Sequence, residues 1–290
     1  MNIDYYRILL SVVDRMNITA AAETLGYTQS GVSHIIAQIE NDIGFPLLFR
    51  SKNGVSLTND GERMLPYIRE IVNRDDTMHQ VANEITGIRT GRVRIGTFVS
   101  AAVHWIPRMI KEFNMIYENV SFNICVGTYK DIEEMVLREE IDCGFVSGAM
   151  VKNLNFVPLV QDKLIALVPH DHPLAKKEKL PLDEIRNLDF IIPGEGSNHD
   201  IGQILKKANL RPNVRFSVSD DYAAISMVKN RFGITILPEL VVDDIDDSVR
   251  KMHIDPECFR IIGIATASTT VSPACKAFIE FSREWVNAHH

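Results

Sequence analysis

The sequence is short of the residues that would place it in several large classes. Only four of its 290 residues are cysteine. Cys125, Cys143, Cys258 and Cys275 are widely spaced and form no Cys-x-x-Cys pair, which argues against a disulfide framework or a structural zinc site. No apolar run approaches membrane-spanning length. The opening stretch is broken by Asp4, Arg7 and Asp14, where a signal peptide needs an uninterrupted apolar segment. A cytoplasmic protein with no membrane partner is expected. A positive charge excess is missing too: the net charge is -7, and residues 1–63 hold five Lys/Arg against seven Asp/Glu. Nucleic-acid binding, if present, has to rest on local groups rather than on the global field. Catalytic signatures are also lacking. Ser147 and Ser197 have glycine neighbours, but neither lies in a Gly-x-Ser-x-Gly elbow and no base can be placed beside either, so no enzyme is expected. His170-Asp171-His172 lies in a proline-flanked turn and His289-His290 at the terminus; neither makes a convincing metal site, and no metal or cofactor is expected.

What is present begins with helical periodicity. Apolar residues recur at Tyr6, Leu9, Leu10 and Val13, at Ala21, Ala22 and Leu25, and at Val32, Ile35, Ile36 and Ile39. Between the second and third runs, Gly26 can end one helix in the left-handed conformation and Thr28 can cap the next, which is helix-turn-helix spacing. If 29–43 is the recognition helix, its buried stripe leaves Gln29, Ser30, Ser33, His34 and Gln38 outside, and glutamine and serine are suited to base edges and phosphates in a major groove. Then Leu47-Leu48-Phe49-Arg50, a basic Ser51-Lys52-Asn53-Gly54 turn and Val55-Ser56-Leu57 read as a two-stranded wing whose Arg50 and Lys52 meet phosphate. A long helix capped by Thr58 or Asn59 should run to about Gly87, with Met64, Ile68, Ile71, Asp75, Met78, Ala82 and Ile85 at heptad spacing; only Asp75 interrupts the seam of a helix that pairs between chains.

From Gly91 short β-rich runs alternate with helical segments, the texture of a parallel sheet with crossover helices. In such sheets ligands sit at the carboxyl ends of strands, near helix amino termini. Two loops fit: Thr97-Phe98-Val99-Ser100-Ala101, before a helix near Trp105, and Pro193-Gly194-Glu195-Gly196-Ser197-Asn198, before a helix starting near Asp200. Donors grouped there favour an anionic effector such as a small carboxylate.

Asn17-Ile18-Thr19-Ala20-Ala21-Ala22, Leu25 through Ser33, Ile39-Glu40, Gly44 through Arg50, and Leu57-Thr58 with Gly61 together resemble the LysR-type transcriptional regulators, and the similarity extends over the whole chain. The resemblance implies a winged helix-turn-helix domain (residues 1–58), a linker and dimerisation helix (59–90), and an α/β two-lobed effector domain (91–290) resembling type 2 periplasmic binding proteins. One lobe would hold about 92–160 and 266–290, the other about 161–265. It implies that Gln29, Ser30, Ser33 and Arg50 touch double-stranded DNA, and that Thr128 and Ser147 line the effector cleft beside Ser100, Ala101, Ser197 and Asn198, with Asp220 and Tyr222 as weaker candidates. Assembly into homodimers or homotetramers and contact with RNA polymerase follow from the same resemblance. Where many members carry arginine after the second serine, this chain has His34, which shortens the reach and makes the charge pH-dependent. Three other readings stay open at the level of sequence: an enzyme, a solute-binding protein proper, and a regulator whose C-terminal domain serves only assembly.

Overall fold

The structure is a computed structural model that describes residues 2–51, 54–85, 90–149, 151, 153–242, 245 and 248–289. The chain divides into two compact units, the first formed by residues 1–89 with 138–140 and the second by the remainder.

In the first unit, three helices form where capping side chains and left-handed stops demand them: α1 (Ile3–Arg15), α2 (Ile18–Leu25) and α3 (Gln29–Ile43). Asn2, Asn17 and Thr28 each cap a helix by accepting a backbone N–H of the first turn at 3.0–3.1 Å. Gly26 ends α2 at φ 72°, a conformation in which a side chain is strained. Val12, Ala21, Val32, Ile36 and Ile39 are fully buried in the shared core; Ile35, from the expected stripe, is only partly buried at its edge. Strands β1 (Leu48–Ser51) and β2 (Gly54–Leu57) pair antiparallel as a wing. Helix α4 (Asn59–Ile85) follows, its start fixed by Thr58, whose Oγ1 donates to Pro46 O at 2.8 Å and accepts from Gly61 N at 2.9 Å.

Two features of α4 differ from the heptad expectation. Met64 and Ile68 pack into the core of their own domain. Asp75, read as a flaw in the seam, instead accepts Arg7 of α1 at 2.7 Å, and Asp76 accepts the same guanidinium at 2.6 Å. Ile71, Met78 and Ile85 remain exposed.

The second unit has one hydrophobic cluster in its first lobe and two in its second, the lobes joined by two long strands. The first lobe carries β3 (Thr90–Thr97), α5 (Val99–His104), α6 (Ile106–Phe113), β4 (Asn119–Val126), α7 (Tyr129–Leu137) and β5 (Cys143–Ser147). Strands β4, β3 and β5 are parallel, so their carboxyl ends, and the residues just beyond them, share one edge. Strand β6 (Asn155–Pro169) then leaves this lobe. The second lobe carries 3-10 turns at Pro173–Lys176 and Leu182–Asn187, β7 (Lys179–Pro181), β8 (Asp189–Ile192), α8 (Glu195–Lys207), β9 (Asn213–Ser217), α9 (Asp221–Lys229), β10 (Thr235–Pro238), α10 (Glu239–Val242) and β11 (Val249–Asp255). Strand β12 (Phe259–Thr266) returns beside β6, and α11 (Pro273–His289) closes the first lobe.

The sheet runs β4-β3-β5-β12-β6-β11-β7, with β10 also paired to β6. Three expectations are corrected. Helix α8 starts at Glu195, not near Asp200, because Gly194, at φ -54° and ψ 160°, already serves as its non-helical cap. Strand β6 begins well before Lys163: Pro158, which cannot donate to a ladder, is accommodated at the irregularity where β12 shifts register between Ile262 and Gly263. The return to the first lobe also comes earlier than Ala265, since Ile262, Ile264 and Ala265 all belong to that lobe's core.

Candidate functional site

The first candidate surface is the face of α3 with the wing. Gln29, Ser30, His34 and Gln38 are exposed and Ser33 is half-exposed, on the side opposite Val32, Ile36 and Ile39. Gln29 Nε2 donates to Ser33 Oγ at 3.0 Å, and Ser30 Oγ lies 3.2 Å from Thr28 Oγ1, so the polar groups hold one another in place without being buried. Glu40, from the far part of the same helix, accepts the backbone N–H groups of Leu47 and Leu48 at 2.8 and 3.1 Å. That pair of bonds ties the start of the wing to the helix carrying the polar face. Arg50 and Phe49 are exposed on β1. Lys52 lies outside the described residues. Sequence reading passed over Glu40 as a positioning group because its role depends on the chain turning back at Gly44 and Pro46.

The second candidate lies where the two lobes of the second unit meet. Asp200 of α8 and Arg260 of β12 are almost completely buried. At the end of β5, Ser147 Oγ donates to Asp200 Oδ1 at 2.7 Å; at the start of α7, Tyr129 donates its hydroxyl to Asp200 Oδ2 at 3.2 Å. Arg260 Nη1 donates to the Tyr129 oxygen at 2.6 Å and stands 3.7 Å from Asp200 Oδ2. Its Nε donates to Asp162 Oδ2 at 2.8 Å, and the other Asp162 oxygen accepts Leu240 N at 3.1 Å. The guanidinium rests over the Phe98 ring, 4.9 Å from its centroid. Arg260 and Asp162 face each other across the β12–β6 ladder.

Charges this deep persist only when paired. Burial works against the Arg260 charge, but Tyr129, Asp162 and Asp200 outweigh it and hold the guanidinium above its ordinary value. Burial pushes the Asp200 carboxyl above the usual carboxylate range, against the pull of Arg260, Ser147 and Tyr129. It also pushes the Tyr129 phenol up strongly. A second carboxyl, Asp221 of α9, accepts Gly194 N at 2.9 Å and the Ser197 hydroxyl at 2.7 Å, and burial raises it too.

The six residues expected around the effector are distributed unevenly. Ser147 stands in the cluster, and Ser197 is buried one turn from Asp200 with its hydroxyl given to Asp221. Thr128 donates its hydroxyl to Asp131 at 2.7 Å and receives the Asp131 N–H at 3.2 Å, a cap for α7. Ala101 lies in the first lobe's core, Ser100 is buried in the first turn of α5, and Asn198 is exposed on α8. Asp220 caps α9 by accepting Ala223 N at 3.0 Å, and Tyr222 is exposed. Tyr129, Asp162, Asp200 and Arg260 were not anticipated.

Three of the groups weighed as metal ligands have structural partners, and His290 lies outside the described residues. His172 Nδ1 accepts Leu174 N at 3.3 Å, Asp171 pairs with Arg231 at 2.6 Å, and His289 stacks on Trp285. Among the described residues, no helix is long and apolar enough to cross a membrane.

Comparison with known proteins bears on the whole chain. Residues 3–62 match the model of the bacterial regulatory helix-turn-helix proteins of the LysR family, and residues 87–287 match the LysR substrate binding domain. An uncharacterised HTH-type transcriptional regulator of Bacillus subtilis, YvbU, is 27% identical over 292 residues, covering 99% of this chain and 100% of its own. A full-length OxyR variant from Pseudomonas aeruginosa has a similar fold, with a TM-score of 0.78 at 19% identity over 98% of each chain. The effector binding domain of QuiR, solved with shikimate, aligns with a TM-score of 0.61 at 24% identity, covering 69% of this chain and 99% of that one. The chain belongs to the LysR family of helix-turn-helix transcriptional regulators.

Proposed function

We propose that this regulator acts in the cytoplasm as a homodimer or homotetramer that reads an inverted-repeat operator and answers to a small carboxylate held between the lobes of its second unit. In this reading Gln29, Ser30, Ser33 and His34 meet base edges and nearby phosphates, Arg50 and Lys52 meet the flanking phosphates, and contact with RNA polymerase carries the response to transcription. No catalysis is assigned to it. The effector part is carried by one observation: two buried hydroxyl donors, Ser147 and Tyr129, and the buried charge of Arg260 converge on a single carboxyl group. Charge-assisted bonds of this kind favour a carboxylate over a neutral group of the same shape. The exposed apolar positions Ile71, Met78 and Ile85 of α4 support pairing between chains.

The DNA part is tested by selecting bound sequences from a random pool with the intact protein and with a Gln29→Ala, Ser33→Ala variant. Recovery of an inverted repeat by the intact protein alone, its half-sites about one helical turn apart, is expected. Recovery of the same repeat by both would remove α3 as the reader.

A further inference from the structure

Asp200 is the acceptor on which both lobes close. It stands on α8 of the second lobe, yet Ser147 and Tyr129 of the first lobe donate to it at 2.7 and 3.2 Å, and the linking strand brings Arg260 within 3.7 Å. Neutralising Arg260 does not require it. Asp162 already does so from the neighbouring strand, with Nη2 and Nε at 2.6 and 2.8 Å. Nor is the guanidinium saturated. Nη2 is near enough to Asp162 for charge pairing but out of line for a hydrogen bond, and it is buried with no other partner. A second carboxyl is therefore not needed to balance the guanidinium charge, and burying one carries a desolvation penalty. What this arrangement supplies is a seat shaped for a carboxylate, filled by a side chain of the protein itself.

We propose that Asp200 is a built-in occupant of the effector's carboxylate seat: without effector it bridges the lobes, and an effector carboxylate takes over the hydroxyls of Ser147 and Tyr129 and the nearby charge of Arg260 and frees α8 from the first lobe. The inference rests on the reading that the cleft takes a carboxylate. Binding is then an exchange of one carboxyl group for another, and Asp200 sets the concentration at which the regulator responds. Helix α8 is not left loose by the exchange, because Gly194 N and Ser197 remain held by Asp221 at 2.9 and 2.7 Å.

The test uses full-length protein and acetate, the smallest carboxylate that fills the seat of a deleted aspartate side chain. Thermal unfolding is followed for wild type and Asp200→Ala in sodium acetate and in sodium chloride of equal ionic strength. The expected result is a saturable, acetate-specific rise for Asp200→Ala, roughly 2–4 °C at about five times the acetate Kd, and none for wild type. Adding Tyr129→Phe should weaken the acetate effect about tenfold. If Asp200→Ala does not fold, Asp200→Ser leaves similar room and is expected to behave likewise. A folded variant that shows no acetate-specific shift, or one that responds just as wild type does, overturns the proposal. The effector reading fails separately: if a panel of small carboxylates leaves wild-type DNA binding unchanged while Asp200→Ala still takes up acetate, that reading falls and the internal occupant stands.

Discussion

At the scale of single residues, the cleft depends on Arg260 more than on any other side chain. Its removal would leave Asp162 facing a strand partner with no charge and Asp200 with only two hydroxyls. Arg260→Met is therefore expected to destabilise the protein by about 3–5 kcal/mol in urea unfolding, the usual consequence of stranding one partner of a buried pair. Asp221 makes a prediction of opposite kind. Its carboxyl is raised by burial, so between the unfolded and folded values the folded chain binds the extra proton. That contribution is complete at low pH and is lost as pH rises through the folded value, above the ordinary aspartate range near 4. The melting temperature of wild type minus that of Asp221→Asn should thus fall as pH rises from 4 to 8; a constant or rising difference would show that Asp221 is not held in this way. Of the two charged residues of the β12–β6 pair, only Arg260 was partly legible in the sequence. Strand β12 buries Ile262 and Ile264, and period-two parity puts Arg260 on the same inward face. Asp162 is its cross-strand partner, which no reading of one strand could supply. Thr128, placed beside the effector by the family resemblance, also caps α7 through its bonds with Asp131, a use that its residue type alone does not announce.

At the scale of elements, the DNA-reading unit is set by the junction of wing and helices. A β-carbon on Gly61 would stand 2.2 Å from Leu47 O, so α4 can start against the wing only with glycine there. Gly61→Ala should force the two apart, costing about 1–3 kcal/mol in thermal unfolding and weakening operator binding in a mobility-shift assay. Glu40→Ala leaves the amides of Leu47 and Leu48 without their acceptor and should cost a similar amount, about 1–3 kcal/mol. The elements here were legible because capping residues, left-handed stops and 3.6-residue periodicity coincide. Strands β6 and β11 were harder: Pro158 interrupts the first at its irregular pairing, and β11 alternates buried Val249, Met252 and Ile254 with Arg250, Lys251 and His253, so it lacks a continuous apolar run.

At the scale of the whole molecule, an acidic chain that binds DNA with only five Lys/Arg in residues 1–63 must place those cations where they count. With Arg50 and Lys52 as the expected phosphate contacts, binding should show a shallow salt dependence per monomer. The unpaired apolar stripe of α4 carries the other global prediction. Ile71→Glu with Met78→Glu should reduce the assembly to monomers in light scattering, and a variant that keeps its mass would place the interface elsewhere. The division into a DNA-reading part and a two-lobed part was readable from the change in texture near Gly91, while the seat between the lobes depends on residues 129, 147, 162, 200 and 260, too far apart in sequence for any local pattern. The central claim, that a carboxylate in this seat governs DNA reading, is tested most directly by footprinting the full-length protein on its selected operator against a panel of small carboxylates. The account predicts that at least one of them shifts the wild-type footprint and that Asp200→Ala, which lacks the competing carboxyl, responds at about tenfold lower concentration. A footprint that changes equally in both proteins, or in neither, would contradict it.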